Sequence, residues 1–227
     1  MPDPLDLKSR PADADEEALP LPFGIPLYES LTSKFIAFDR LLQTLGELGA
    51  SGYVRLVAPN TNGIVLLRNG KAVDCLHREG GRLQRGEAAL TAIRRLVDDG
   101  AGVLDVVSLD SELIDGLHHL ASGEAMYPPL YASWVKGDGL LDFLRAQGFT
   151  GCLSVRAAAG GGVVMLNRGE VTGAFTTESR ALGRDAGEVL ALCVDPEAAI
   201  EVHGASSSSD VIPRQSPVES AFSELVT

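Results

Sequence analysis

The chain has 227 residues, a formal net charge of −12, and 45% hydrophobic against 22% charged residues. That mix supports a packed core, and its surplus of carboxylates repels phosphate backbones and anionic lipid, so neither nucleic acid nor a membrane surface is the expected partner. Cys75, Cys152 and Cys193 form no CxxC pair, no apolar run approaches the ~18 residues of a membrane span, and no basic-then-apolar leader opens the chain; a reduced, cytoplasmic protein without a disulfide framework is expected.

Residues 1–22 are rich in Asp, Glu, Pro and Ala and carry little apolar periodicity, so they read as a disordered leader. A first module is expected over 23–123. Asp39 suits the N-cap of a helix whose Leu41, Leu42, Leu45 and Leu48 share one face, with Gly49 as its stop. Residues 53–57 are β-rich, 59–63 read as a loop and 64–67 as a second strand. Asn69-Gly70 is a strong signal for a type I′ hairpin turn, and 71–76 follows as the third strand. A second helix over 87–99 puts Ala89, Leu90, Ile93, Leu96 and Val97 on one side, and 103–107 alternates as a strand. An extra helix at about 110–122, with Leu113, Ile114, Leu117 and Leu120 inward and Gly123 as its stop, completes this module.

A second module is expected over 124–204, because the sequence repeats. At a constant offset of 99, residues 39–70 meet 138–169 with Asp39, Leu41, Leu42, Leu45, Gly49, Gly52, Ala58, Gly63, Val65, Leu67 and Gly70 identical. Upstream, Pro26-Leu-Tyr-Glu-Ser-Leu31 meets Pro129-Leu-Tyr-Ala-Ser-Trp134 at an offset of 103, which implies four extra residues in the first copy. The segment 157–162 reads as a loop, 170–175 as the third strand, 185–194 as a helix and 200–202 as a strand. The fold expected is therefore α+β: two repeated modules, each an antiparallel β-meander with helices packed on one face. Modules this small have marginal cores, so the two are expected to pack together. Residues 205–227 read as a flexible tail that ends in a short apolar helical face, Val218, Ala221, Phe222, Leu225 and Val226.

The order of these motifs carries a resemblance. The Leu-Leu-x-x-Leu helix comes first. Gly52-Tyr-Val-Arg-Leu, Gly63-Ile-Val-Leu-Leu-Arg-Asn-Gly-Lys-Ala-Val-Asp and Gly86-Glu-Ala-Ala-Leu follow. The series resembles the PATAN-like family of bacterial modules, over about 25–107 in the first copy and about 128–203 in the second. The second copy departs from the pattern at Gly183-Arg-Asp-Ala-Gly-Glu-Val-Leu190. The resemblance implies a non-enzymatic interaction module in bacterial signalling, beside response-regulator receivers or small-GTPase regulators of motility.

The residues kept between copies are glycines, leucines and valines, with one Asp and the Pro-Leu-Tyr-x-Ser box; this points to a preserved fold rather than a reaction centre. Asp74, Cys75 and His77 are too few for a metal site, and Cys75 and His77 would share one strand face. His118 and His119 are adjacent on a helix and point about 100° apart. Gly80-Gly81 and Gly160-Gly-Gly162 match no phosphate-cradling motif. No catalytic residue, metal ligand or cofactor is therefore assigned. The candidate interface residues are Tyr28, Tyr127, Tyr131, Trp134, Phe222 and Leu225, because aromatic and large apolar side chains anchor interfaces. The leading function is an adaptor that binds another protein, with a second copy of the chain as one candidate partner. The alternative is a sensor that binds a small molecule or nucleotide in the cleft between modules.

Overall fold

Asn69-Gly70 turns as its composition demands, with φ of 48° and 78°. That turn joins β3 (Thr61–Arg68) to β4 (Lys71–Glu79). A computed structural model describes residues 18–204, and in it the chain is α+β, with two antiparallel sheets of six and five strands and five α-helices among the described residues. Two units are distinguished: Pro26–Ser108 with the residues up to Pro20, and Leu21–Ile25 with 109 onward.

In the first unit the strand order is β1-β6-β2-β3-β4-β5, where β1 is Ile25–Thr32, β2 is Gly52–Ala58, β5 is Arg82–Arg85 and β6 is Val103–Ser108. Consecutive strands β2 to β5 form a meander, and β6 returns antiparallel along β2. Helices α1 (Phe38–Glu47) and α2 (Gly86–Asp98) bury Phe38, Leu45, Ala89, Ile93 and Val97 against Val54, Leu56, Val65, Leu67, Cys75, Leu104 and Val106. The strand residues of that set alternate along their strands, as one face of a sheet requires. Gly63 lies on this face because α2 leaves no space there: a Cβ would stand 2.5 Å from Ile93 Cγ1.

Several local expectations change. Residues 61–63 and 160–162 are strand, and the loops shrink to two residues; Gly63 and Gly162 serve helix packing instead of turning the chain. Asp39 caps nothing. The cap position is Ala37, and Asp39 instead holds Arg94 Nε at 2.9 Å, which ties α1 to α2. Asp138 likewise lies inside the first turn of its helix, where it accepts from Gly139 N–H. Leu48 is exposed at the helix end. Strands β1 and β5 were not expected, and Gly80-Gly81 is the turn into β5. Residues 18–22 were assigned to the leader, yet Leu19 and Leu21 are buried and Ala18 N–H donates to Asn62 Oδ1. The rest of the leader and the expected tail, 205–227, lie outside the described residues.

In the second unit the order is β10-β9-β8-β11-β7, with β7 Leu130–Tyr131, β8 Gly151–Ala157, β9 Gly160–Asn167, β10 Glu170–Thr176 and β11 Ala199–Gly204. Helices α4 (Gly137–Ala146) and α5 (Gly187–Ala191) pack on Leu153, Val155, Val164, Leu166, Ala174, Ile200 and Val202. A 3-10 turn, Leu192–Val194, replaces the second half of the helix expected over 185–194.

Helix α3 (Ser111–Ser122) corrects the expected plan. It lies against β8, β9, β10 and β11, in the second unit. A Cβ on Gly116 would meet Met165 Cγ at 2.6 Å, and one on Gly173 would meet Leu113 Cδ2 at 2.7 Å. Met165 alternates with Val164 and Leu166 along β9 and so projects from the opposite face. The second sheet thus carries helices on both faces rather than one. Helical periodicity tells which side of α3 is buried, but not which sheet receives it.

Candidate interaction surface

The first candidate surface is the edge of the six-stranded sheet. β1 pairs with β6 on one side and ends the sheet on the other. Its apolar residues are open to solvent: Ile25 is 73% exposed, and Leu27 and Tyr28 are each more than two-fifths exposed. Pro26 removes one donor at the start of the strand. Ser30 has a φ of 53°, unusual for a residue with a Cβ. Asp105 holds that kink, since one carboxylate oxygen accepts from Ser30 N–H at 2.9 Å while the other bonds Arg55 at 2.9 Å. The stretch 27–29 is thereby presented between a proline and a fixed kink. Phe35, just beyond, is 81% exposed; no sequence period marked it.

In the second unit Tyr131 and Trp134 are each 44% exposed, and the chain turns between them through Trp134 N–H to Tyr131 O at 3.1 Å. Tyr127 is half-buried against the core of that unit, and burial pushes its hydroxyl pKa up. Here the sheet edge is blunted. β7 has only two residues, Met126 N–H closes on Val202 O at 2.7 Å, and Pro128 and Pro129 offer no donors between them. Beside it a groove of about 350 Å³ lies between the start of α4 and the 3-10 turn, lined by Ala132, Val135, Leu190, Cys193 and Val194. A second hollow of about 390 Å³ is lined by Gly160, Gly161, Thr177, Ser179, Glu188 and Leu192, among others. Phe222 and Leu225 lie outside the described residues.

The groups that could carry chemistry are mostly committed to the fold. His77 is buried, with Nε2 2.8 Å from Thr61 Oγ1 and Nδ1 3.2 Å from Gln84 Oε1. Thr61 also donates to Arg78 O at 3.0 Å. Sequence reasoning missed Thr61 and Gln84, which become neighbours of His77 only through strand register. Burial, then the Asp74 carboxylate, pushes the Cys75 thiol up to about 11; burial pushes Cys152 far above the ordinary thiol range; burial and Asp138 push Cys193 up. All three disfavour the thiolate a nucleophile needs. His203 is buried with neither ring nitrogen hydrogen-bonded, and Glu201 Oε2 is 3.5 Å from Nε2. Burial, then His118, lowers the pKa of His119. Among the described residues no three His, Cys, Asp or Glu side chains are grouped to hold a metal ion, and no helix is long and apolar enough to cross a membrane.

Comparison with known proteins replaces the resemblance drawn from the motifs. No curated protein and no solved structure matches the chain. The expected kinship with a bacterial PATAN-like module is overturned by the family that does match, because spaced glycines and leucines describe a hairpin geometry that unrelated families share. Over residues 19–121 the chain is similar to DUF2226, a family described as an uncharacterized protein conserved in archaea.

Proposed function

We propose that the chain is a non-enzymatic interaction module, built as two copies of one fold, that binds an extended segment of a partner protein along the open edge of β1. The duplication is supported by residues 99 apart that do the same geometric work. Gly52 and Gly151 have φ of 148° and 153°, and a Cβ on either would collide with the carbonyl of Val107 or His203. Gly70 and Gly169 both pass against an α-helix C-terminus, and their N–H groups donate to Ala50 O and Phe149 O, each at 2.8 Å. Asn69 N–H bonds Ser51 Oγ and Arg168 N–H bonds Thr150 Oγ1, both at 2.9 Å. Gly63 and Gly162 each admit a helix side chain, Ile93 or Val189. The same offset extends upstream, since Ser33 N–H donates to Gly102 O as Ala132 N–H does to Ala198 O. The Pro-Leu-Tyr-x-Ser boxes are therefore not equivalent pieces, and Tyr28 and Tyr131 occupy different places.

One observation carries the binding proposal: the contrast between the two edges. An open strand edge is a hazard that proteins usually blunt with prolines, charges or shortness. The second unit does so with a two-residue strand and Pro128-Pro129. The first keeps an eight-residue strand with exposed apolar side chains, and its Pro26 and the kink at Ser30 leave 27–29 between them. Strand addition would use the free backbone groups for affinity and Leu27 or Tyr28 for selectivity. A chain of net charge −12 favours a segment flanked by Lys or Arg. A photo-crosslinking residue at Leu27 or Tyr28 should label one protein in native lysate, and Leu27→Lys in the same strand should abolish labelling at Tyr28 while the melting temperature holds. Labelling that survives Leu27→Lys, or that arises only from probes at Tyr131 and Trp134, would sink the proposal.

A further inference from the structure

The groove beside α4 is lined mostly by apolar side chains, with Lys136 and Asp138 among them. Val194 in its lining is 83% exposed, and Trp134, 44% exposed, directly precedes the lining residue Val135 in the chain. The two units differ at the helix start. Helix α1 begins with Phe38, whose ring is buried in the core of the first unit. Helix α4 begins with Gly137, which is buried, and Cys193 Sγ lies 2.8 Å from where its Cβ would be, so Cys193 fills the space beside this helix start. The second unit has no phenylalanine of its own at that helix start.

We propose that the C-terminal segment 218–226 of the same chain docks in this groove, with Phe222 and Leu225 as its anchors. The inference does not depend on β1 binding a partner. Reach favours the assignment. The described chain leaves the sheet at Gly204, the last residue of β11, and the groove adjoins the other end of that strand, where Ser133 N–H bonds Pro196 O. At ~3.3 Å per residue, β11 spans about 17 Å. A tether of thirteen residues as rich in Ser as 205–217 would have a root-mean-square reach of about 20 Å by the scaling of Gly/Ser-rich linkers. A tether matched to its span gives an effective concentration in the mM range, which suits a small apolar contact. Chemistry agrees: Val218, Ala221, Phe222 and Leu225 follow helical spacing and suit a lining that is mostly apolar, in which Lys136 and Asp138 carry opposite charges.

Trp134 is the single tryptophan of the chain, partly exposed and one residue before Val135 of the groove, so its emission can follow a change there. In the full-length protein, Phe222→Asp and Leu225→Asp should move Trp134 emission to longer wavelength, whereas Ser207→Asp in the tether should not. Cys193 offers an independent readout, because Cys75 and Cys152 are buried. With Phe222→Cys, mild oxidation should join the introduced thiol to Cys193 within one chain, at a rate independent of protein concentration and lost in Cys193→Ala. Unchanged emission together with no cross-link would overturn the proposal. A cross-link that forms only between chains would also overturn it, by assigning the groove to the tail of a second copy.

Discussion

Gly63 shows how much of the core is set by one missing side chain. Its backbone is ordinary strand, so φ is not the reason for glycine; the reason is Ile93, whose Cγ1 would be 2.5 Å from a Cβ. Gly63→Ala should cost about 1–3 kcal/mol through overpacking. Ile93→Ala should cost about 2–5 kcal/mol through the cavity it leaves. Together they should cost less than their sum, because the second change removes what the first collides with, with a coupling of about 0.5–3 kcal/mol. Urea unfolding of the four proteins measures this. Additive losses would mean that the strand shifts to admit the methyl and that helix proximity is not what fixes the glycine. The identity of Gly63 and Gly162 was visible in the repeat. Its cause was not, since Ile93 is thirty residues away in sequence and Val189 answers to it without being identical.

At the scale of elements, hairpins and helix faces were legible because their signals are local. Asn69-Gly70 states its turn, and Leu113, Ile114 and Leu117 state which side of α3 is buried. The receiving sheet for α3 and the strand β1 depend on pairings across dozens of residues, and the two partners of His77, Thr61 and Gln84, on strand register, none of which periodicity encodes. β1 was also masked by composition: Pro26 and the kink at Ser30 interrupt the alternation that marks a strand. The placement of α3 has a pH consequence. His119 sits on α3, and burial, then His118 and more weakly His203, hold its pKa below the ordinary 6.5, while Asp115 opposes them. A histidine whose folded pKa is depressed contributes stability that is complete above the unfolded value and is lost as pH falls through the folded one. The unfolding free energy should therefore drop on going from pH 7.5 to 5.5, and His119→Gln should make that drop smaller. Equal drops in the two proteins would show that α3 does not confine this ring.

For the whole molecule the question is whether charge helps or opposes the fold. Three ion pairs among the described residues lie at the surface. Arg94 with Asp39, Arg95 with Asp99 and Arg145 with Asp142 are surface pairs, each worth about 0–1 kcal/mol. Arg55 with Asp105 is shielded on both sides. Against these stands a net charge of −12, whose self-repulsion is largest in the compact state. Salt screens both, but repulsion acts over long range, and distances beyond the ~8–10 Å Debye length at physiological salt are screened first. Raising NaCl from about 10 mM to about 150 mM, where that screening length applies, should therefore raise the melting temperature, with Arg55–Asp105 losing little. A melting temperature that falls with salt would mean that the surface pairs outweigh the net charge. The acidic surface would then be a stabilising network, and the case for a basic partner segment on β1 would lose its electrostatic half.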